Sequence, residues 1–178
     1  VKKPFVTLSS AVAWSSPWYN VRQDKILLPN GVEGTYNVVQ KNDAVWIVPV
    51  TPNGDIVLIH TYRYTVDDWC WEVPAGNIEE GQTPQEAAAV ELAQEAGGVA
   101  KSWEYIGRFY PANGICNAVG HIFLARGVTL SNTAHEPAEV MTVHRVSRAE
   151  ALAMARDGRI SDGPSALALL LCAGKLDA

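Results

Sequence analysis

Residues 71–98 constrain the fold most, because they mark both ends of one helix. Thr83, Pro84 and Glu86 stand in the order of N-cap, first helical residue and reciprocal capping partner, and Gly97 with Gly98 ends the helix. A Pro-Ala-Gly turn, Pro74 to Gly76, leads into it. At about 100° per residue, Glu91 and Glu95 fall within roughly 40° of each other, with Gln94 on their flank. Ala89, Leu92, Ala93 and Ala96 form the expected opposite, apolar stripe. A helix divided in this way packs one side on a core and holds acidic oxygens toward a cleft. Two stacked carboxylates suit a divalent cation; the alternative is a solvated acidic pair, mildly repulsive at this spacing.

The rest of the chain mixes strand and turn signals. Residues 21–28 run into Pro29-Asn30-Gly31 and read as a strand closed by a hairpin, with residues 35–40 as partner. Residues 45–50 and 56–62, apolar and β-branched around Thr51-Pro-Asn-Gly54, read as a second strand pair in a central sheet. Strands are expected at 103–110, 119–125 and 140–146. Ser147 and Glu150 form a second capping-box pattern, opening a short helix to Arg156, and residues 164–173 form an apolar, mostly buried helix. Strands interleaved with a few helices favour a mixed sheet covered by helices.

At 178 residues the chain suits an N-terminal β element over residues 1–42 followed by one domain over 43–178. A net charge of −5 and a pI near 5.3 argue against a general nucleic-acid binder, because no basic run supplies phosphate attraction. Cys70, Cys116 and Cys172 are widely spaced and odd in number, which favours reduced thiols in a cytoplasmic protein. Lys2 and Lys3 precede Pro4 and polar residues, without the apolar run of a secretion signal. The longest apolar run, residues 166–173, is too short to span a bilayer.

Gly76, Glu91, Leu92, Glu95 and Gly97 resemble the box of the Nudix hydrolases, G-x5-E-x7-R-E-U-x-E-E-x-G-U with U a bulky aliphatic residue. Gln82, Val90, Gln94 and Gly98 stand where that box has Glu, Arg, Glu and an aliphatic residue. Arg63 in a Tyr-Arg-Tyr run, Trp71-Glu-Val-Pro-Ala-Gly76, Glu139 ahead of a strand, and the runs at 25–31 and 158–162 resemble the ADP-ribose pyrophosphatase branch. The likeness extends over about residues 18–172. It implies an α/β/α sandwich with a mixed sheet, in which the N-terminal β element helps build a homodimer. It also implies metal-dependent hydrolysis of the pyrophosphate bond of nucleoside diphosphate sugars, ADP-ribose preferred, to a nucleoside monophosphate and a sugar phosphate. Asn113 in Tyr110-Pro-Ala-Asn-Gly114 departs from a Ser-Pro-Gly-like turn of that branch, which makes ADP-ribose a preference.

The resemblance assigns Glu91, Glu95, Gln94 and the Ala75 carbonyl to Mg2+ (or Mn2+), Glu139 with Glu95 to catalysis, Arg63 to the diphosphate, and Trp18 to the base. Such chemistry needs oxygen ligands, an oriented water and a guanidinium on phosphate oxygens. Each assignment has a plainer counterpart: Glu139 as an ordinary charge before a strand, Arg63 in a surface salt bridge, Trp14 and Trp18 in packing. Glu136 is the fallback for Glu139, and Glu72 is a further ligand or the partner of Arg63. His60, His121, His135 and His144 lack ligand spacing and read as structural. Gln94 supplies no negative charge and Val90 removes a charged brace. The alternative function is therefore a catalytically weak or inactive nucleotide-binding or interaction module on the same fold.

Overall fold

The computed structural model describes residues 3–135 and 138–176, and its chain divides into two compact units. The first comprises the residues up to Asp43 together with Tyr110–Val119. Its strands β1 (Val6–Ser15), β2 (Asn20–Leu27) and β3 (Glu33–Gln40) form an antiparallel meander. The second strand and the hairpin at Pro29-Asn30-Gly31 match the expectation; Gly31, at φ +82°, takes the left-handed conformation the turn needs. Strand β1 was not legible in the sequence, because all ten of its residues are exposed and no buried face imposes an alternation. Residues 110–119 join this unit through the Tyr36 hydroxyl, which donates to the Gly114 carbonyl at 3.1 Å, and the Val119 N–H, which donates to Asp43 at 2.8 Å.

The second unit, Ala44–Phe109 with Gly120 onward, is a layered α/β/α arrangement, as expected. In chain order its elements are β4 (Ala44–Val50), β5 (Ile56–Arg63), β6 (Asp68–Glu72), β7 (Ala75–Asn77), α1 (Pro84–Ala96), β8 (Gly98–Val99), β9 (Ser102–Phe109), β10 (Gly120–Arg126), β11 (Thr129–Leu130), β12 (Met141–Val146), α2 (Arg148–Asp157) and α3 (Gly163–Cys172). The main sheet runs β12-β5-β4-β10-β9, with β6 added to β5 and β7 to β4. Period-2 alternation assigns the two faces. Val45, Ile47, Val57, Phe123 and Ala125 pack with Ala87, Ala88, Leu92 and Ala96 of α1, while Val48, Val50, Leu58, Ile122 and Leu124 pack with Met154, Ala168 and Leu169 of α2 and α3.

Two expectations need correction, the Pro-Ala-Gly turn and the apolar stripe of α1. Residues 45–50 and 56–62 are the expected strand pair with a tight loop, β4 lying antiparallel to β5 at Val50 and Ile56, and β4 also runs parallel to β10 over its full length. The other edge of β4 is taken by Pro74, whose carbonyl accepts the Ile47 N–H at 2.9 Å, and by β7. The Pro-Ala-Gly segment is therefore a crossover strand wedged between β4 and β5 rather than a simple turn. The apolar stripe of α1 is also rotated from its expected place. Ala89 and Ala93 are exposed, and Ala87, Ala88, Leu92, Glu95 and Ala96 are buried. A methyl group carries little apolar area, so alanine positions fix a helix face weakly.

Candidate active site

Helix α1 begins as the sequence demands. The Thr83 hydroxyl accepts the Glu86 N–H at 3.3 Å, and the Glu86 carboxylate accepts the Thr83 N–H at 2.8 Å. The helix ends at Gly97, whose φ of +63° and N–H bond back to the Ala93 carbonyl close the last turn. These two ends set the rotation of Glu91 and Glu95 over the β4–β7 wedge. At Ser147 only half of the expected box is reciprocated in kind: Ser147 caps the Glu150 N–H, and the Glu150 carboxylate pairs with Arg159.

Glu95 is 4% exposed, and its Oε2 accepts the Ala75 N–H at 2.8 Å. Burial pushes its carboxyl up to about 8, against the pull of the Ala75 N–H; the charges of Glu91 and Glu139 raise it further and that of Arg63 lowers it. Glu91, half-buried, lies against Gly76: a Cβ built there would sit 2.0 Å from the Glu91 carboxyl carbon. Glycine at 76 is what allows the carboxylate to lie on the crossover strand. Arg63 ends β5 and forks onto Glu72, with Nε to Oε1 at 2.8 Å and Nη2 to Oε2 at 2.6 Å. Glu72 is 5% exposed, whereas the Arg63 side chain is 44% exposed. The pairing with Glu72 holds Arg63 more firmly in its charged form.

The charges of Glu91, Glu139 and Arg63 thus all act on Glu95, the Ala75 N–H donates to Glu95, and Arg63 donates to Glu72. Gln94 is exposed on the flank of α1, and its carbonyl accepts the Ala134 N–H at 2.9 Å. Trp18 lies in the first unit, 78% exposed in the turn whose Ser16 N–H donates to the Tyr19 carbonyl; Trp14 packs on Tyr19 at 5.2 Å. Glu136 lies outside the described residues. His60 stacks on Trp71 at 4.4 Å and Trp71 meets His144 at 4.8 Å, while His121 bonds the Tyr105 hydroxyl at 3.2 Å. A groove of about 680 Å³ lined by Thr83, Glu86, Tyr105, His121 and Phe123 contains none of the site carboxylates.

Sequence reasoning missed two features. The seat of Glu91 on Gly76 has a signal in the glycine itself, a residue type that marks close approach. The bond from His135 Nε2 to the Glu95 carbonyl, 2.8 Å, has none, because a backbone acceptor leaves no side-chain signature.

A family model described as NUDIX domain matches residues 40–166, and one described as Nucleoside diphosphate sugar hydrolase N-terminal domain matches residues 6–39. The chain belongs to the Nudix family. Among its relatives, an ADP-ribose pyrophosphatase of Bacillus subtilis (strain 168) is 27% identical over 92% of this chain and 89% of its own. An ADP-ribose pyrophosphatase of Mycobacterium tuberculosis is 33% identical over 70% of this chain and 60% of its own. A crystal structure titled as an ADP compounds hydrolase superposes with a TM-score of 0.87 at 21% identity, covering 98% of this chain and 95% of that one, and shows the same fold. By family and relatives, the chain is a Nudix pyrophosphohydrolase.

The departures from the Nudix box now have local accounts. Gly98 has no room for an aliphatic side chain: a Cβ there would lie 2.8 Å from Leu92. Gln82 serves the turn before α1, its Oε1 accepting the Glu79 N–H at 3.0 Å. Val90 and Gln94 are both exposed. Among the described residues no three His, Cys, Asp or Glu side chains close a cage. Magnesium is commonly held by one or two carboxylates with water and substrate phosphates rather than by an all-protein cage. Hard carboxylate oxygens whose charges oppose one another at Glu95 fit that ion.

Proposed function

We propose that this Nudix protein hydrolyses the pyrophosphate bond of nucleoside diphosphate sugars, with ADP-ribose preferred, releasing a nucleoside monophosphate and a sugar phosphate. The observation that carries the reading is the buried Glu95 carboxylate, bonded to the Ala75 N–H one residue from the Gly76 seat of the Glu91 carboxylate. In this reading Glu91 and Glu95, with the Ala75 carbonyl and the Gln94 amide oxygen, hold Mg2+ (or Mn2+). The bound ion would neutralise phosphate charge and polarise the phosphoryl oxygens. Glu139 accepts a proton from the attacking water, and Glu95 assists by fixing the geometry of that corner. Arg63, held in plane by Glu72, presents its outer edge to the diphosphate. Trp18 stacks on the base, a contact of about 1–3 kcal/mol in general.

The same reading takes the N-terminal sheet as a homodimer surface. Phe5, Val6, Leu8, Val12 and Trp14 are all exposed there, a concentration of apolar side chains that usually marks an interface. Reduced Cys70, Cys116 and Cys172 accord with a cytoplasmic setting. The test is turnover: with Mg2+ or Mn2+, ADP-ribose should yield AMP faster than other nucleotide sugars do. No product from ADP-ribose or from a panel of such sugars would refute the hydrolase. A second reading, a binding module without turnover, is favoured by the neutral Gln94 and Val90 in the box. Calorimetry that finds tight binding of ADP-ribose without hydrolysis would select it.

A further inference from the structure

The crossover segment changes partners within a few residues. Glu72 is the last residue of β6 to pair with β5, and Ala75 is the first of β7 to pair with β4. Pro74 has no N–H, so the Val73 N–H is the one backbone donor between them. It lies outside both ladders and donates to the Ser165 hydroxyl of α3 at 3.1 Å, with Val73 and Ser165 both fully buried. A buried donor needs an acceptor, and here a side chain from the helix layer supplies it. The turn that opens α3 sets Ser165 in place. Asp162 caps the helix, its Oδ2 accepting the Ser165 N–H at 2.9 Å, and the Ser161 hydroxyl reaches Cys70 Sγ of β6 at 3.9 Å. The bond to Glu72 holds Arg63 charged against the cost of burial, and the charges of Glu72, Glu95 and Asp162 add to it. The start of α3 therefore stands behind the Arg63 side of the site.

We propose that Ser165 is a positioning residue of the hydrolytic site, fixing the peptide between Glu72 and Val73 and with it the offset of the Arg63–Glu72 pair from the Ala75–Glu95 bond. The inference rests on the hydrolase reading for its effect on rate. Each ladder fixes its own end of the junction: β5 holds Glu72, while β4 holds Ala75 and, through the Ile47 N–H, the Pro74 carbonyl. The two ladders do not fix each other there. β4 and β5 pair at Val50 and Ile56, and beyond that contact β7 takes the edge of β4 and β6 the edge of β5. Ser165 reaches the junction from a third element, at the residue where one ladder gives way to the other. In the proposed reaction the guanidinium and the metal-binding carboxylates act on one diphosphate, and small misplacements at a reacting centre cost large factors in rate. Loss of the Ser165 hydroxyl leaves α3 packed through Ala168 and Leu169 and frees the peptide to tilt.

The test compares Ser165→Ala, which removes the acceptor, with Ala168→Gly, which weakens the same buried face of α3 without touching the junction. Tm should fall in both. At a temperature where both are folded, kcat for ADP-ribose should fall about three- to tenfold in Ser165→Ala, the range of one net hydrogen bond, and by less than about twofold in Ala168→Gly. Independently of turnover, proton–nitrogen NMR spectra read both sides of the junction. The Ala75 amide and the Arg63 Nε–H signals should move in Ser165→Ala and stay in place in Ala168→Gly. Ser165→Cys, with a weak sulfur acceptor of similar size, should fall between wild type and Ser165→Ala in both readings. Shifts confined to Val73 and α3, or equal loss of kcat in Ser165→Ala and Ala168→Gly, would overturn the inference, as would a lowered Tm with kcat intact. If the wild-type protein hydrolyses no nucleotide sugar, the hydrolase reading fails. The two signals then decide by themselves whether Ser165 sets the offset.

Discussion

The two walls of the acidic corner solve the same problem in opposite ways. On the strand wall, β5 and β6 bury Glu72 and set the Arg63 guanidinium on it with two short bonds, so charge meets charge inside the fold. On the helix wall, α1 buries Glu95 to a similar degree, and its hydrogen bond comes from a neutral backbone N–H while neighbouring carboxylates oppose its ionisation. Burying a charge is costly unless it is paired. The strand wall is complete in itself. In the proposed reading, a cation from outside would lower the energy of the helix wall, and the substrate's phosphates would share that cation.

The largest effect should come from Glu95→Gln, which keeps the Ala75 bond and removes the charge. Turnover of ADP-ribose should fall by at least about a hundredfold, the scale of losing a preorganised electrostatic contact. A loss under about threefold would show that the helix wall carries no chemistry. The same variant should alter the pH dependence of stability. The folded-state carboxyl sits near 8 against an ordinary 4.5, so its contribution to metal-free stability is fully present below 4.5 and is lost as pH rises through 8. Melting scans should show Tm of the wild type falling across that window and a flatter profile for Glu95→Gln; parallel profiles would break the comparison.

Next is Gly76→Ala. The new methyl must displace the Glu91 carboxylate, the far end of a flexible side chain, so the fold should survive with Tm shifted by a few degrees at most. Activity should nonetheless drop by about tenfold to a hundredfold, since the ligand loses its seat. Equal losses of Tm and rate would mean that Gly76 serves packing instead. Glu72→Gln tests the strand wall: denaturant unfolding should register about 1–3 kcal/mol, less than for a fully buried pair because Arg63 is 44% exposed. The smallest effect is a gain. Restoring Val90→Arg with Gln94→Glu should raise turnover several-fold by adding a negative oxygen and its brace. No change would locate the limit elsewhere, in access to the cleft.

Much of this was readable beforehand because it is local. The capping residues Thr83 and Glu86 and the glycine at 97 act within one turn, and they placed both ends of α1 correctly. What could not be read was decided across the sheet. Nothing in residues 44–50 announces a parallel partner at 120–126, and the three-residue β7 is too short to show a period. The burial of Glu95 follows from that wedge, since the Ala75 N–H that donates to its carboxylate is aimed by pairing with β4. The alanines of α1 misled for a related reason: which methyls are buried depends on where the crossover strand lies.

The account turns on the helix wall being a seat for a divalent cation whose arrival ionises Glu95. Titrating Mg2+ into the protein by calorimetry near pH 7, in two buffers of different ionisation enthalpy, reads both binding and the protons released. Binding should release about one proton in the wild type and far less in Glu95→Gln, because metal ligands must deprotonate to coordinate. Binding with no proton released, or the same release from Glu95→Gln, would contradict the account.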